Sequence, residues 1–287
     1  MNKSPLALLS LSLLLGITAC SSNPSPEKLE KDTSYQATLD YKNNLIIKPL
    51  TEYLPSQKKI DTYNVAHSIL LNACLQKEGY SYPRYHPDTS VEGSREYGMW
   101  NPDYTQEYGF GITPEYLQKI QTEHEQFEGV PPEKIQSCYE ENKSALDEIA
   151  PSDSKDQNSI AQRIKIQAYN AANADPEWVK AKEEWWTCLR THGLTPQKEN
   201  GGWGSQEQER NMTEGDQASE GVQKENIRIA TIQAECSQTT GMAQTLANLE
   251  AAYQGPLIKK NQIALNNEKE ESASKNKKAE EIIAKNQ

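Results

Sequence analysis

Cysteine is the residue type in this sequence with the clearest chemical potential. The 287-residue chain contains five cysteines, Cys20, Cys74, Cys138, Cys188 and Cys236. A cysteine sulfur can carry a lipid, form a disulfide or bind a metal ion. The sequence has no Cys-x-x-Cys motif and no closely spaced pair of histidines, which are the patterns of structural zinc sites. We therefore expect no metal site and no cofactor, and we consider acylation and disulfide formation instead.

The first 19 residues have the organisation of a secretory signal. Lys3 precedes an apolar stretch that ends in Ile-Thr-Ala before Cys20. Small residues before a cysteine at this place resemble the lipobox of bacterial lipoproteins, which implies removal of residues 1–19 and attachment of a diacylglycerol to Cys20. Two acyl chains give stable membrane attachment, whereas one gives only marginal binding. We expect residues 20–35 to be the acylated flexible tether; the alternative is an ordinary signal peptide followed by an unmodified cysteine.

The remaining four cysteines lie on apolar faces of predicted helices, where apolar residues recur at steps of three and four. An even number of cysteines in an exported chain indicates two disulfides, for which there are three connectivities. The pattern Cys-Leu-x-x-x-Gly begins at Cys74 and again at Cys188, and each is followed by one further cysteine. We therefore favour the pairs Cys74–Cys138 and Cys188–Cys236, within two copies of one helical unit.

The elements that must position these cysteines are helices. Alternating apolar and polar residues, the pattern of a strand, do not extend over a convincing length. We predict an all-α fold cross-linked by two disulfides, with a long aromatic-rich loop and a long C-terminal helix that Pro256 kinks or interrupts. Residues 36–150 and 159–266 form two predicted helical units, joined by a polar linker at 151–158. Residues 267–287 are predicted to be a charged tail, either helical or disordered.

The aromatic-rich loop runs from Tyr80 to Tyr116 and contains seven of the fourteen tyrosines. A loop of this length is usually functional or disordered, and its aromatic content argues against disorder. The rings either form a binding surface for a cell-wall glycan or peptide or pack as a lid on a thin helical core, and we favour the lid. The candidate surface residues are Tyr97, Trp100, Tyr104, Tyr108, Phe110 and, from the second unit, Trp203.

The charge balance excludes one class of partner. The 30 basic residues are outnumbered by 41 acidic ones, so the net charge is -11. Nucleic-acid binding needs clustered Lys and Arg, and we therefore expect no nucleic-acid partner. The mean hydropathy of -0.85 excludes a polytopic membrane protein, so the membrane is expected as a partner only through the lipid anchor.

A search for catalytic and metal-binding motifs predicts no catalytic residue. Gly-x-Ser-x-Gly, His-Glu-x-x-His, Walker and dinucleotide glycine patterns are absent from the sequence. The oxygen-bearing residues Asn101, Asp103, Thr105 and Glu107 alternate like the start of a calcium loop, but the loop glycine and the final glutamate are missing.

Several segments together resemble a known family. These are Cys20, Cys-Leu-Gln-Lys-Glu-Gly-Tyr at 74–80, Trp-Trp-Thr-Cys-Leu-Arg-Thr-His-Gly at 185–193, and Ala-Glu-Cys-Ser-Gln-Thr-Thr-Gly at 234–241. Over residues 57–266 the chain resembles an uncharacterised group of secreted lipoproteins from actinobacteria. The resemblance implies an extracytoplasmic, lipid-anchored scaffold and no particular activity.

From these features we predict a lipoprotein on the extracytoplasmic face of the bacterial cell membrane. Its expected role is that of a non-enzymatic binding or structural module of the cell envelope. The alternative is an envelope hydrolase or cell-wall processing enzyme whose carboxylates converge only in the fold. A cleft with two converging carboxylates would favour the hydrolase, and an aromatic groove without them would favour binding.

Overall fold

The structure is a computed structural model that describes residues 29–82, 84–85, 94–111, 129–151, 159–198, 202–214 and 219–286. Within these residues the fold is all-α, as the sequence predicts. The signal segment, Cys20 and most of the predicted linker lie outside the described residues.

The elements follow one another in this order. The helices are α1 (Gln57–Leu75), α2 (Pro102–Tyr108), α3 (Pro132–Ile149), α4 (Ile160–Asn173), α5 (Pro176–Thr191), α6 (Gln206–Glu214), α7 (Glu220–Thr240), α8 (Met242–Lys260) and α9 (Gln262–Lys285). Short 3-10 helices span Pro49–Tyr53 and Gln76–Glu78. Two antiparallel hairpins pair β1 (Thr38–Asp40) with β2 (Leu45–Ile47), and β3 (Pro196–Gln197) with β4 (Gly204–Ser205).

Carboxylates accept hydrogen bonds from the first backbone N–H groups of two central helices. The Asp175 carboxylate accepts a 2.9 Å hydrogen bond from the backbone N–H of Glu177 at the start of α5, where Pro176 follows the cap. In α4 the Ser159 Oγ accepts from the backbone N–H of Gln162 at 3.4 Å. A carboxylate of another helix adds to this cap, since Glu268 of α9 accepts from the backbone N–H groups of Ile160 and Ala161 at 2.5 and 3.2 Å. Negative charge at these positions also interacts favourably with the helix dipole.

Both predicted disulfides are present. Cys74–Cys138 joins α1 to α3 with Cα atoms 5.7 Å apart, and Cys188–Cys236 joins α5 to α7 with Cα atoms 5.6 Å apart. The cysteines occupy the apolar faces that the steps of three and four predict, so each bond connects two helices at their contact. The bonds close sequence separations of 64 and 48 residues, worth about 4 kcal/mol each in the chain-entropy model.

The buried apolar side chains form two clusters. The main core lies among α4, α5, α7 and α8 and contains Trp178 and Trp185, both 1% exposed or less. The second core lies among α1, α3 and the end of α9, where Ala279 is buried. Because α9 contributes Leu265 to the main core and Ala279 to the second one, it connects the two.

These cores do not coincide with the predicted helical units. Residues 36–54 and 94–111, placed by prediction in the first unit, contribute Leu50 and Tyr97 to the main core. The segment after residue 266, predicted to be a charged tail that is either helical or disordered, is helical and continues α9 to Lys285. Its Ala279 is 1% exposed because a methyl side chain fits where α9 crosses α1 and α3.

Three further details differ from the sequence prediction. Pro256 does not end its helix, since α8 continues to Lys260 and the break falls at Asn261. The aromatic loop contains a short helix, α2, with Pro102 at its first position. The two hairpins were not predicted, because strands of three or two residues are too short to show an alternating pattern.

Candidate binding cleft

An open cleft of about 380 Å³ lies between the β1–β2 turn and α2. This volume is at the lower end of the range of ligand pockets, roughly 300–1,000 Å³. The lining residues combine aromatic rings, carboxylates and amides: Tyr41, Lys42, Asn44, Asn101, Asp103, Tyr104, Glu107 and Tyr108.

Local hydrogen bonds shape the turn that forms one wall. The Asp40 carboxylate accepts from the Asn43 backbone N–H at 3.0 Å and from the Asn43 Nδ2 at 2.6 Å. These bonds lower the pKa of Asp40 from its ordinary value. Asn44 adopts a left-handed backbone with φ of 52°, which asparagine tolerates better than most residues. Its carbonyl oxygen accepts a 2.7 Å bond from the N–H of Ser94, so the turn is fixed to the segment before α2.

Asn101, immediately before α2, connects the two walls. Its Nδ2 donates a 2.7 Å hydrogen bond to the carbonyl oxygen of Tyr41, which fixes the orientation of the amide. The residue is 3% exposed, and its Oδ1 has no hydrogen-bond partner among the described residues. Leaving a buried acceptor unpaired costs about 1–3 kcal/mol. The atom itself is buried, so this unpaired acceptor is a local cost at the junction of the two walls rather than a group exposed to the cleft.

Two acidic residues and two tyrosines of α2 line the cleft, and within each pair the residues are four positions apart. Asp103 and Glu107 are both exposed, and this spacing places them on one helical face. Tyr104 and Tyr108 are half-buried, with ring centroids 5.1 Å apart and planes inclined by 49°. The cleft therefore offers several oxygen acceptors beside two apolar ring faces.

The cleft floor is anchored to the main core. Trp100 packs edge-on against Tyr41 with centroids 5.2 Å apart, and its Nε1 donates a 2.6 Å bond to the carbonyl oxygen of Ser94. Gly109, which ends α2 with φ of 59°, lies so close to α7 that an added Cβ would be 3.0 Å from the backbone nitrogen of Ile227. This close approach requires glycine and seats α2 on α7.

The structure places the six predicted surface aromatics in three different settings. Tyr104 and Tyr108 line the cleft, whereas Tyr97, Trp100 and Phe110 are buried in the main core at 0%, 2% and 9% exposure. Trp203 is half-buried beneath the Lys182 ammonium, which lies 4.2 Å from its ring centroid. Core burial of three rings is the placement that the lid interpretation expects, because these rings supply apolar area to the core.

The residues that sequence reasoning missed come from the turn. Tyr41, Lys42 and Asn44 lie far from α2 in sequence, and only the fold brings them to it. The alternating oxygen-bearing residues at 101–107 resemble the start of a calcium loop in sequence. In α2 the alternation does not converge, because the Thr105 hydroxyl donates to the Pro102 carbonyl oxygen at 3.1 Å and is buried.

A second polar centre lies inside the main core. The Lys48 ammonium donates to Glu250 and Glu96 at 2.7 Å each and to the Tyr97 hydroxyl at 3.2 Å. The Tyr97 hydroxyl donates to the other oxygen of Glu250 at 2.5 Å. Lys48 therefore uses all three of its donors, and both oxygens of Glu250 are occupied.

Burial dominates the acid–base properties of this centre. It raises the pKa of Glu250 above its ordinary value, although the Lys48 charge acts in the opposite direction. Burial and the neighbouring Glu250 charge raise the pKa of Tyr97 well above its ordinary value. Glu250 is 0% exposed, so the arrangement is a satisfied internal network whose carboxylate has no contact with solvent.

Comparison with protein-family models, with curated proteins and with solved structures found no match. Within the described part of the chain, no helix is both long enough and apolar enough to cross a lipid bilayer.

Proposed function

We propose that the protein is a lipid-anchored lipoprotein on the extracytoplasmic face of the bacterial membrane, and that its cleft binds a glycan of the cell envelope without turning it over. The observation that carries the binding role is an open cleft in which the exposed Asp103 and Glu107 carboxylates lie beside the Tyr104 and Tyr108 rings. The resemblance to secreted actinobacterial lipoproteins and two disulfides, which persist in oxidising compartments, support the location.

The cleft chemistry favours a ligand rich in hydrogen-bond donors. The Asp103 and Glu107 carboxylates are acceptors, and sugar hydroxyls or amines can donate to them. The Tyr104 and Tyr108 rings offer apolar faces of the kind that stack on the C–H face of a sugar. The net charge of -11 and the two carboxylates disfavour an anionic polymer, so the glycan is neutral or amine-bearing.

The hydrolase alternative has less support. It needs two carboxylates that converge where a substrate can reach them. Asp103 and Glu107 do share one face of α2 in the cleft, but both are exposed, so no difference in burial divides them into an acid and a base. Glu96 and Glu250 do converge, but they converge on the Lys48 ammonium, and Glu250 is fully buried. The network therefore supports a structural role for these acids.

The anchoring part of the proposal is tested in cells by Cys20→Ala. Without a sulfur to acylate, the variant is expected in the soluble fraction, while the unaltered chain stays with the membranes. Equal membrane retention of both would contradict the lipid anchor without bearing on the cleft.

The binding part is tested by co-sedimentation of the full-length protein with purified cell walls, both untreated and treated with protease. Tyr104→Ala should reduce the bound fraction because it removes a ring from the cleft, whereas Tyr139→Ala, which removes an exposed ring from α3, should not. Binding that disappears when the walls are protease-treated would identify a peptide ligand and contradict the glycan proposal. Binding that is equal in both variants would place the site elsewhere.

A further inference from the structure

The two disulfides differ in how accessible their sulfur atoms are. In Cys74–Cys138 both residues are buried, at 5% and 2% exposure. In Cys188–Cys236 the second residue is 1% exposed, but Cys188 is half-buried and lies near the exposed end of α5. Thiol–disulfide exchange requires that an incoming thiolate reach one sulfur, so access favours attack at Cys188.

The second disulfide also has an imidazole beside it. The Nδ1 atom of His192 lies 3.7 Å from the Sγ of Cys188 and 3.7 Å from the Sγ of Cys236. The same Nδ1 is 2.9 Å from the carbonyl oxygen of Cys188. A carbonyl oxygen only accepts hydrogen bonds, so Nδ1 carries a proton in this arrangement. A proton donor is thus placed next to both sulfurs.

The first disulfide, Cys74–Cys138, has a carboxylate beside it instead of an imidazole. The Oε2 of Glu141 lies 3.4 Å from the Sγ of Cys74, while its Oε1 pairs with the exposed Lys77 at 3.0 Å. A carboxylate repels an approaching thiolate and disfavours a second negative charge on a departing sulfur. Solvent access and local charge therefore both favour attack by a thiolate on Cys188–Cys236 over attack on Cys74–Cys138.

Among the described residues, Cys188, His192 and Cys236 are also the one group of three potential metal-ligand side chains that lie close together. Their sulfurs are joined to each other, so they cannot act as thiolate ligands in this form. The chemistry open to the group as it stands is exchange of the disulfide.

We propose that the Cys188–Cys236 disulfide is a thiol-exchange site, at which a thiol of the glutathione or dithiol-oxidoreductase class forms a mixed disulfide with Cys188. The incoming thiolate attacks the Cys188 Sγ and forms a new S–S bond there. The Cys188–Cys236 bond breaks, and its electron pair leaves on the Cys236 Sγ. The imidazolium form of His192 gives its Nδ1 proton to that sulfur and becomes neutral. A second external thiolate then attacks the sulfur of the first one, the S–S bond to Cys188 breaks, and Cys188 leaves as a thiolate that takes up a proton. The two external thiols depart as a disulfide, and their oxidation supplies the two electrons.

The test follows both bonds in one sample. The folded full-length protein is incubated with glutathione, quenched at intervals with iodoacetamide and mapped by mass spectrometry. Cys188–Cys236 should open at least about tenfold faster than Cys74–Cys138, and the glutathione adduct should be on Cys188. Equal rates, faster opening of Cys74–Cys138, or an adduct on Cys236 would overturn the proposal.

Two isosteric or near-isosteric variants test the cause of the difference. His192→Gln should slow opening of Cys188–Cys236 about three- to tenfold and leave Cys74–Cys138 unchanged, because it removes the proton donor beside one bond only. Glu141→Gln should accelerate Cys74–Cys138 and leave the other bond unchanged. Circular dichroism of both variants shows that they are folded, which the exposure of both side chains leads us to expect. An H192Q protein that opens at the rate of the unaltered one would refute the role of His192.

Discussion

The backbone N–H of Asp32 donates a 2.9 Å hydrogen bond to the carbonyl oxygen of Ala252. Ala252 precedes Pro256 by four residues, and proline has no N–H with which to satisfy that carbonyl within the helix. The segment before β1 therefore supplies the donor that α8 lacks. This explains why Pro256 is accommodated inside α8 and why the chain near residue 32 is held against the main core.

The neighbouring Gly255 gives a direct test of this docking. An added Cβ there would be 2.2 Å from the Tyr35 ring, so Gly255→Ala should displace the docked segment. We expect the free energy of unfolding to fall by about 1–3 kcal/mol, as for other overpacked sites. Gly221→Ala is the matched control, because its Cβ would meet only the Ser219 Oγ at 3.6 Å in α7. Urea unfolding of both variants checks this, and an equal effect of the two would contradict the docking.

The helix cap at Asp175 predicts an acid-dependent loss of stability. Burial alone would raise the pKa of Asp175, but hydrogen bonds from Glu177, Lys31 and Tyr253 outweigh it, so the pKa lies below its ordinary value of 3.8. The carboxylate thus stabilises the fold above that value and ceases to do so as the pH falls through the folded-state pKa. Asp175→Asn should cost about 1–2 kcal/mol at neutral pH.

The pH dependence of that difference is the diagnostic measurement. The gap in unfolding free energy between the unaltered protein and D175N should be constant above about pH 5 and should shrink below about pH 4, because the unaltered carboxyl then also becomes neutral. A gap that is independent of pH down to acid unfolding would show that charge at this cap contributes nothing.

Removal of the Lys48 charge should lower the free energy of unfolding, because the buried Glu250 carboxylate loses its cation. Lys48→Met leaves the fully buried carboxylate without its cation, and breaking a buried ion pair in this way typically costs about 3–5 kcal/mol. The pKa of Glu250, already raised by burial, should rise further without Lys48. The folded variant then takes up a proton that the unfolded chain does not, so its stability should recover as the pH falls from 7 towards 5.

Thermal unfolding across this pH range compares K48M with Lys165→Met, which removes the same charge from an exposed position on α4. The control should be nearly neutral, within about 0.5 kcal/mol. If K48M were as stable as the control, the buried network would not stabilise the fold.

Two aromatic residues of the same segment should respond differently to truncation. Trp100 is 2% exposed, so Trp100→Ala should cost about 3–5 kcal/mol. Tyr104 is half-buried at the cleft, so Tyr104→Ala should cost less than about 1.5 kcal/mol while weakening ligand binding. Melting temperatures of the two variants decide this. A similar drop in both would make Tyr104 part of the core rather than of a site.

Local sequence patterns predicted the helices and the disulfides because both depend on short-range information. The three- and four-residue steps identify the buried face on which Cys138 or Cys236 lies, and the repeated Cys-Leu-x-x-x-Gly turn selects the pairing. Contacts between distant segments leave no such pattern. Asn101 reaches the carbonyl oxygen of Tyr41 across 60 positions, a contact that depends on backbone placement rather than residue type.

The same reason explains the unpredicted ionic network and the extent of α9. Lys48 and Glu250 are 202 positions apart, and neither has a sequence neighbourhood that marks it as buried. In α9 the contact with the second core comes from Ala279 and the partly buried Ile282 and Ile283. Three residues near the end of a charged segment are too few to show a hydrophobic periodicity.

The central claim is that the carboxylates and rings of the cleft bind an envelope glycan. It is tested most directly by calorimetric titration of soluble glycan fragments, released from purified cell walls, into the full-length protein. The double variant Asp103→Asn, Glu107→Gln removes two acceptor charges from the cleft with almost no change in shape. The control Glu235→Gln, Glu270→Gln changes the net charge equally at exposed positions outside it.

We predict saturable binding to one site per chain, weakened at least about tenfold in the cleft variant and unchanged in the control, since bonds to charged acceptors are worth about 1.5–3 kcal/mol each. Affinity that is the same in the cleft variant as in the unaltered protein, or the absence of any binding to the unaltered protein, would contradict the account.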